Sequence, residues 1–238
     1  PKNRSLFSSS KEDDLALLTK LAYEGLRFRY PRGDREAKAR VEKELRVINE
    51  LGFNAYFLIT WDIIRYARSR RYFHVGRGSG ANSIVAYCLG ITDVDPVELD
   101  LYFERFINEH RTSPPDFDID FSWDERDDII DYIFKRYGAK HVCLLATYVT
   151  FRDKSIYREL AKVFGLPKAE IDAWLDPATA MREVSSEIQA LIVKYGQLLL
   201  DFPNYLSIHA GGILISDVPL SAYTALEGMA KGFPICQF

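Results

Sequence analysis

Apolar positions recur at helical spacing through the first third of the chain. Leu15, Leu18 and Ala22 fall on one face of residues 11–29, and Ser10 stands where an N-cap belongs. Pro31 and Gly33 break the pattern. It resumes over about 35–51, with Val41, Leu45 and Ile48 on one face and Gly52 just past the end. The stretch "NAYFLITWDIIRYARSRR" continues as a third, more apolar helix that ends in arginines. The period then changes. "YFHV" reads as a short strand, and "GRGSGANS" as a loop that turns into the helix "SIVAYCLG". Residues 116–121 alternate with a period of two and predict a strand. "WDERDDIIDYIFKRYG" predicts a helix with acids at its start, where the dipole favours them, and Gly138 at its end. "HVCLLATYV" reads as a buried strand. Residues 152–200 look helical, with breaks at "GLP" and "LDP", and "GGILIS" returns to a strand. Helices first, then mixed elements, then a helical block and a strand predict an α+β domain with a helical insertion.

Composition bounds this picture. The 238 residues suffice for one large or two small domains, and 47% hydrophobic residues can form a real core. A net charge of −3 provides no global positive field, so any nucleic-acid contact must come from local patches. Cys88, Cys143 and Cys236 lie far apart and form no CxxC pair, which predicts a reduced, cytoplasmic protein. The sequence contains no signal peptide and no apolar run of membrane-spanning length, so no membrane partner is expected. It begins with Pro and stops in "GFPICQF", so a piece of a longer chain is expected.

The chemistry concentrates in "PDFDIDF". On a strand, Asp116, Asp118 and Asp120 share one face and Phe117, Ile119 and Phe121 the other. Asp is poor in strands, and like charges along one face repel. An edge strand can carry a charge as a guard against aggregation, but one suffices. A divalent cation resolves the conflict, because Mg²⁺ is held by one or two carboxylates plus substrate phosphates. Two such ions are the usual device for in-line phosphoryl displacement.

"HVGRGSGANS" supplies a second signal. A glycine loop between strand and helix offers backbone N–H groups to an anion, with the helix N-terminus behind them. It is not a Walker loop, and Ala81 stands where a third glycine would complete GxGxxG. No acidic residue closes a second strand about 20 residues on, as a dinucleotide fold requires. Arg65, Arg68, Arg70, Arg71, His74 and Arg77 bunch ahead of this loop, and Arg105 and Arg111 follow it. They form a local basic patch suited to phosphate or nucleic acid. In "LSIHAGGILIS", His209 precedes Gly211 and Gly212, glycines that suggest close backbone approach at the same cleft. An anion cradle with paired carboxylates points to nucleotidyl or phosphoryl transfer.

"GRGSGANSIVAYCLGITDVDP", "LYFERFIN", "PPDFDIDF" and "HAGG" together resemble the α subunit of bacterial DNA polymerase III, the C family of DNA polymerases. The resemblance runs from about residue 40 to the end, in the family's order. "GANS", "CLGIT", "TYVTFR" and "FPNYLSIH" lean toward its error-prone branch. It implies a DNA polymerase β-like nucleotidyltransferase palm with a mixed sheet, flanking helices and a helical thumb insertion. The implied domains are a palm over 1–149, a thumb over 150–206 and a truncated return to the palm over 207–238. It further implies template-directed DNA synthesis on primer–template DNA from deoxynucleoside triphosphates, with Mg²⁺ as cofactor and Mn²⁺ as a substitute. Asp116 and Asp118 fall on the family's first two metal ligands, with Asp120 in reserve. Arg77, Gly78 and Ser79 fall on the triphosphate cradle, and Arg105 and Arg111 on further phosphate-binding arginines. The family's third metal carboxylate, its other domains and its contacts to the sliding clamp and replisome subunits lie outside this sequence. The fragment alone is therefore expected to be inactive.

The rival reading is a nucleotide- or DNA-binding module without catalysis. A metal-dependent phosphodiesterase would want histidines among the acids, but His74, His110, His141 and His209 are scattered.

Overall fold

The computed structural model describes residues 10–108, 110, 115–175, 186–229 and 232–237. The chain is α+β and divides into two compact units, residues 1–142 with 215–220, and residues 143–214 with 221–238.

Three long helices open the first unit. In α1 (Lys11–Arg29), the Ser10 hydroxyl accepts from the Asp13 N–H at 3.0 Å. In α2 (Arg35–Glu50), the Asp34 carboxylate accepts from the Ala37 N–H at 2.8 Å. The third, α3, runs Asn54–Ser69. The buried face of α1 is Asp14, Leu18, Ala22 and Leu26, so Leu15 lies to one side of it. These helices and the short α4 (Ile84–Leu89) close over one core that includes Leu18, Ala22, Val41, Leu45, Ile48, Phe57 and Ile84.

A two-stranded antiparallel ribbon lies on this core. Strand β1 (His74–Arg77) pairs with β2 (Asp118–Phe121), His74 opposite Phe121 and Arg77 opposite Asp118. β2 is shorter than the alternation over 116–121 predicts. Pro115 has no N–H to give a ladder, and the Phe117 N–H donates instead to the Tyr56 hydroxyl at 3.0 Å. Phe117, Ile119 and Phe121 pack against the core as the alternation predicts. Phe117 stacks on Tyr56 and meets the edge of Phe57. Helix α5 (Arg126–Tyr137) follows.

The second unit contains a mixed sheet in the order β4-β3-β6-β5. Its strands are β3 (Val142–Thr150), β4 (Pro203–Ile215), β5 (Leu226–Gly228) and β6 (Pro234–Cys236). β3 and β6 run parallel, while β5 and β6 run antiparallel. Strand β4 begins well before "GGILIS", because reciprocal bonds between Phe151 and the turn at Asp201–Phe202 start the pairing early. β5 and β6 have three residues each, too few to show a period. The helical block is α6 (Asp153–Val163), α7 (Lys168–Leu175) and α8 (Ser186–Leu199), closed around Ala161, Ile171 and Ile192. Among the described residues, no helix is long and apolar enough to cross a membrane.

Two fully buried carboxylates tie the first unit together. Asp62 accepts from the Tyr132 hydroxyl at 2.8 Å, Arg65 at 2.8 Å, Arg136 at 3.0 Å and the Tyr137 hydroxyl at 3.1 Å, and so bolts α3 to α5. Burial and Asp62 together push the Tyr132 hydroxyl up to about 12. Glu44, on α2, accepts from the Ser83 hydroxyl at 2.7 Å and from the Ile84 and Val85 N–H groups at 3.1 Å. It serves the open first turn of α4, whose N–H groups have no partner within the helix.

Burial pushes Glu44 up to about 7 from an ordinary 4.5, against the opposing pull of its hydrogen bonds. Between those two values the folded chain keeps a proton that the unfolded chain has released, so stability falls as pH rises through about 7. Glu44→Gln removes this titration. Relative to the variant, the parent should lose melting temperature between about pH 5 and pH 8, measured by thermal melts across that range. A constant difference across the range would mean that Glu44 stays in one protonation state throughout.

Candidate metal and nucleotide site

The exposed face of the β1–β2 ribbon carries Val75 and Arg77 from one strand and Asp118 and Asp120 from the other. Arg77 lies directly across from Asp118 and diagonally across from Asp120, within cross-strand reach of both. Its Nε donates to Asp120 Oδ2 at 2.7 Å, and its Nη1 lies 3.6 Å from Asp118 Oδ2. The hydrogen bond to Asp120 raises the Arg77 pKa, helped by the charges of Asp120 and Asp118. All three side chains are about half exposed. The like-charge conflict of the acidic strand is thus met within the protein, by an arginine from the neighbouring strand.

The glycine segment packs directly on these acids. Gly78 has a φ of +68°, and a Cβ there would collide with Asp118 Oδ2 and come within 3.3 Å of its Cγ. A Cβ at Gly80 would come within 2.8 Å of the Phe117 ring. Residues Gly78–Asn82 form a 3₁₀ turn rather than an open loop, pinned by the Asn82 amide donating to the Ser79 carbonyl at 2.8 Å. Gly78 and Ser79 are exposed.

The expectation of a helix N-terminus behind the loop as an anion site is overturned. α4 has six residues, and its leading N–H groups already serve Glu44 and Ser83. A resident carboxylate holds the position that an incoming anion would need. Any phosphate cradle must come from the Gly78–Ser79 backbone and nearby cations.

The arginine bunch also separates on folding. Arg65 pairs with Asp62, Arg68 donates to the Gly90 carbonyl at 2.9 Å, and Arg70 lies 3.6 Å from Asp128. Asp128 also accepts from the Tyr66 and Tyr72 hydroxyls at 3.0 Å. His74 contacts the same Gly90 carbonyl at 3.0 Å. Each of these side chains thus has a partner within the fold. Arg105 ends the 3₁₀ turn Phe103–Arg105, is exposed, and belongs to a turn packed against Gly78–Asn82. Arg111 lies outside the described residues. Asp116 is exposed, two residues ahead of the strand that carries Asp118 and Asp120.

His209, Gly211 and Gly212 lie on β4 in the second unit. The His209 Nδ1 accepts from the Gly212 N–H at 2.9 Å and from the Gly211 N–H at 3.2 Å. A Cβ on Gly212 would come within 2.5 Å of Leu145 Cβ, so that glycine is needed for close packing on β3.

The residues that the sequence reading missed are Glu44, Asp62 and Asp128. The first had a signal. Glu44 sits beside Leu45 and three residues after Val41, on the apolar face of its helix.

The family described as bacterial DNA polymerase III alpha NTPase domain matches residues 16–238. The chain belongs to this family. Among curated proteins, it is similar to an Error-prone DNA polymerase of Symbiobacterium thermophilum, 39% identical over 242 residues. That match covers 94% of the chain and 22% of the relative. It is 42% identical over 229 residues to one of Pseudomonas syringae pv. tomato, with 90% of the chain and 22% of the relative covered. A third, of Hahella chejuensis, is 39% identical over 234 residues, with 92% and 23% covered. The resemblance found in the motifs is borne out, including its lean toward the error-prone branch. The chain spans 22–23% of the length of these relatives.

The acidic ribbon of this polymerase III alpha domain has the donor chemistry for an oxygen-preferring divalent cation. Two carboxylates two residues apart hold a positive group, here a guanidinium, and the missing Cβ of Gly78 lets the Asp118 carboxylate lie against the turn. Among the described residues, no three carboxylate, imidazole or thiol groups converge to hold a metal. The two carboxylates of the ribbon match the number with which Mg²⁺ is held when water and phosphate supply its other ligands.

Gly78→Ala should cost more than the left-handed backbone alone. Gly33 has a φ of +76° and nothing within 4 Å of a Cβ, so Gly33→Ala measures the backbone term of about 1–2 kcal/mol. Urea denaturation of both variants should find Gly78→Ala the less stable. Equal losses would mean that the Asp118 carboxylate yields freely to a methyl group.

Proposed function

We propose that this chain is the palm-and-thumb portion of a DNA-directed DNA polymerase that adds deoxynucleoside monophosphates to a primer 3′-hydroxyl. In this reading, residues 1–149 form a polymerase β-like palm, 150–206 the thumb, and 207–238 a return to the palm. The observation that carries it is the contact between the Gly78–Ser79 turn and an acidic strand already holding a cation. A triphosphate bound to that turn would lie within reach of carboxylate-held Mg²⁺. Family membership and relatives named Error-prone DNA polymerase support the same reaction class.

Asp116, Asp118 and Asp120 provide the candidate carboxylates, the first two favoured by the resemblance. Bound there, Mg²⁺ or Mn²⁺ would neutralise charge on the triphosphate and the attacking oxygen. The Gly78 and Ser79 backbone, with Arg77, Arg105 and Arg111, would grip the phosphates. The primer 3′-hydroxyl would lose its proton to water, its oxygen would bond to the α-phosphorus, and the bond to the leaving pyrophosphate would break. The glycine turn and arginines hold that phosphorus in line with the attacking oxygen. Primer–template DNA and deoxynucleoside triphosphates are the substrates. The remaining domains of the subunit, the sliding clamp and other replisome subunits are the partners of the whole protein.

This chain alone should bind a deoxynucleoside triphosphate with Mn²⁺ without extending a primer, because the resemblance places a further carboxylate beyond it. Titration calorimetry should find triphosphate binding at millimolar ligand in the parent and none in Asp118→Asn. The absence of metal-dependent binding in the parent would remove the proposal. Templated extension by the pure chain would show that the carboxylates within it suffice. Arg105→Ala should weaken triphosphate binding while changing stability by no more than about 1 kcal/mol, as surface changes do. Unfolding of that variant would give Arg105 a structural role.

A further inference from the structure

We propose that Arg77 is the resident counter-ion of the acidic ribbon, held on Asp118 and Asp120 until a divalent cation takes their oxygens and frees the guanidinium for phosphate. This rests on the metal site proposed above, with Asp118 and Asp120, the two carboxylates that share the ribbon face, as its ligands, and adds a role in the metal-free state that hands over to binding.

The geometry makes the two cations exclusive. Arg77 contacts Oδ2 of both carboxylates, with its Nε 2.7 Å from Asp120 Oδ2. A Mg²⁺ ion bound to the same oxygens would sit at about 2.0–2.1 Å from them. That leaves the ion and the guanidinium within a few ångströms of each other, where like charges repel. The register keeps Arg77 opposite Asp118, so the backbone cannot carry the charge away. The side chain has room to move, because it is 57% exposed. It is also joined directly to Gly78, so a swing of its own length brings it over the glycine turn.

Two consequences follow from exchange. The metal-free ribbon does not suffer the full repulsion of its acids, because a charge of the right sign already sits on them. A metal ion binding alone must displace Arg77, whereas one arriving with a triphosphate supplies the arginine with a new anion. Metal and triphosphate should therefore bind with positive coupling through Arg77.

The direct test follows the Arg77 Nε–H resonance of the ¹⁵N-labelled full chain, assigned with Arg77→Gln, during a Mg²⁺ titration. The resonance should shift or vanish by solvent exchange, with the midpoint of Mg²⁺ binding. In parallel, free-Mn²⁺ electron paramagnetic resonance compares parent, Arg77→Gln, Arg77→Lys and Asp118→Asn. Arg77→Gln should bind Mn²⁺ about threefold or more tighter than the parent, the scale of one exposed ion pair. Arg77→Lys, which keeps the charge without the Nε donor, should fall between them and serves if the Gln variant fails to fold. An Nε–H resonance that stays fixed while Asp118-dependent Mn²⁺ binding saturates would overturn the exchange and leave the metal site standing. No Mn²⁺ binding by either parent or Arg77→Gln would remove the metal site itself, and this proposal with it.

Discussion

The site depends on one antiparallel register. Pairing Arg77 with Asp118 puts a guanidinium across from two carboxylates, and the next residue, Gly78, against one of them. A slip of one residue would turn Asp118 and Asp120 toward the core and expose Ile119 and Phe121. The register is held from below. Phe117, Ile119 and Phe121 pack on the core, and the Tyr56 hydroxyl stops the ladder at Phe117. From above, the ion pair links the same two strands. Packing and charge therefore select the same alignment.

Beneath the ribbon, polar bonds do the positioning that apolar packing cannot. Glu44 fixes the start of α4, and with it the end of the glycine turn. Asp62 gathers two tyrosines and two arginines at the α3–α5 junction, and Asp128 gathers two more tyrosines beside it. Buried Asp62 accepts from four named donors and buried Glu44 from three, as burial of a polar group demands. The helix carrying Asp128 begins a few residues after β2.

The helices were legible because their apolar periods are long and their caps conventional. Ser10 and Gly52 mark ends that the structure keeps. The acidic face was legible from alternation alone. The extent of the strand was not, because it depends on the hydroxyl of Tyr56, distant in sequence. The arginine bunch misled for a related reason. Proximity in sequence suggests a patch, whereas folding sends Arg65 to Asp62, Arg68 to Gly90 and Arg70 to Asp128. The helix start behind the glycines misled too, since its anion proved to be Glu44 from another helix. β5 and β6 left no trace, because three-residue strands are defined by partners rather than pattern.

The central proposal is that the acidic ribbon and the glycine turn form one site for a metal-bound triphosphate. An anomalous difference map from a crystal grown with Mn²⁺ and a deoxynucleoside triphosphate tests that most directly. The account predicts a Mn²⁺ peak within ligand distance of Asp118, phosphates on Gly78 and Ser79, and Arg77 turned from Asp120 toward them. Mn²⁺ and triphosphate bound away from the ribbon, with Arg77 still paired to Asp120, would contradict it.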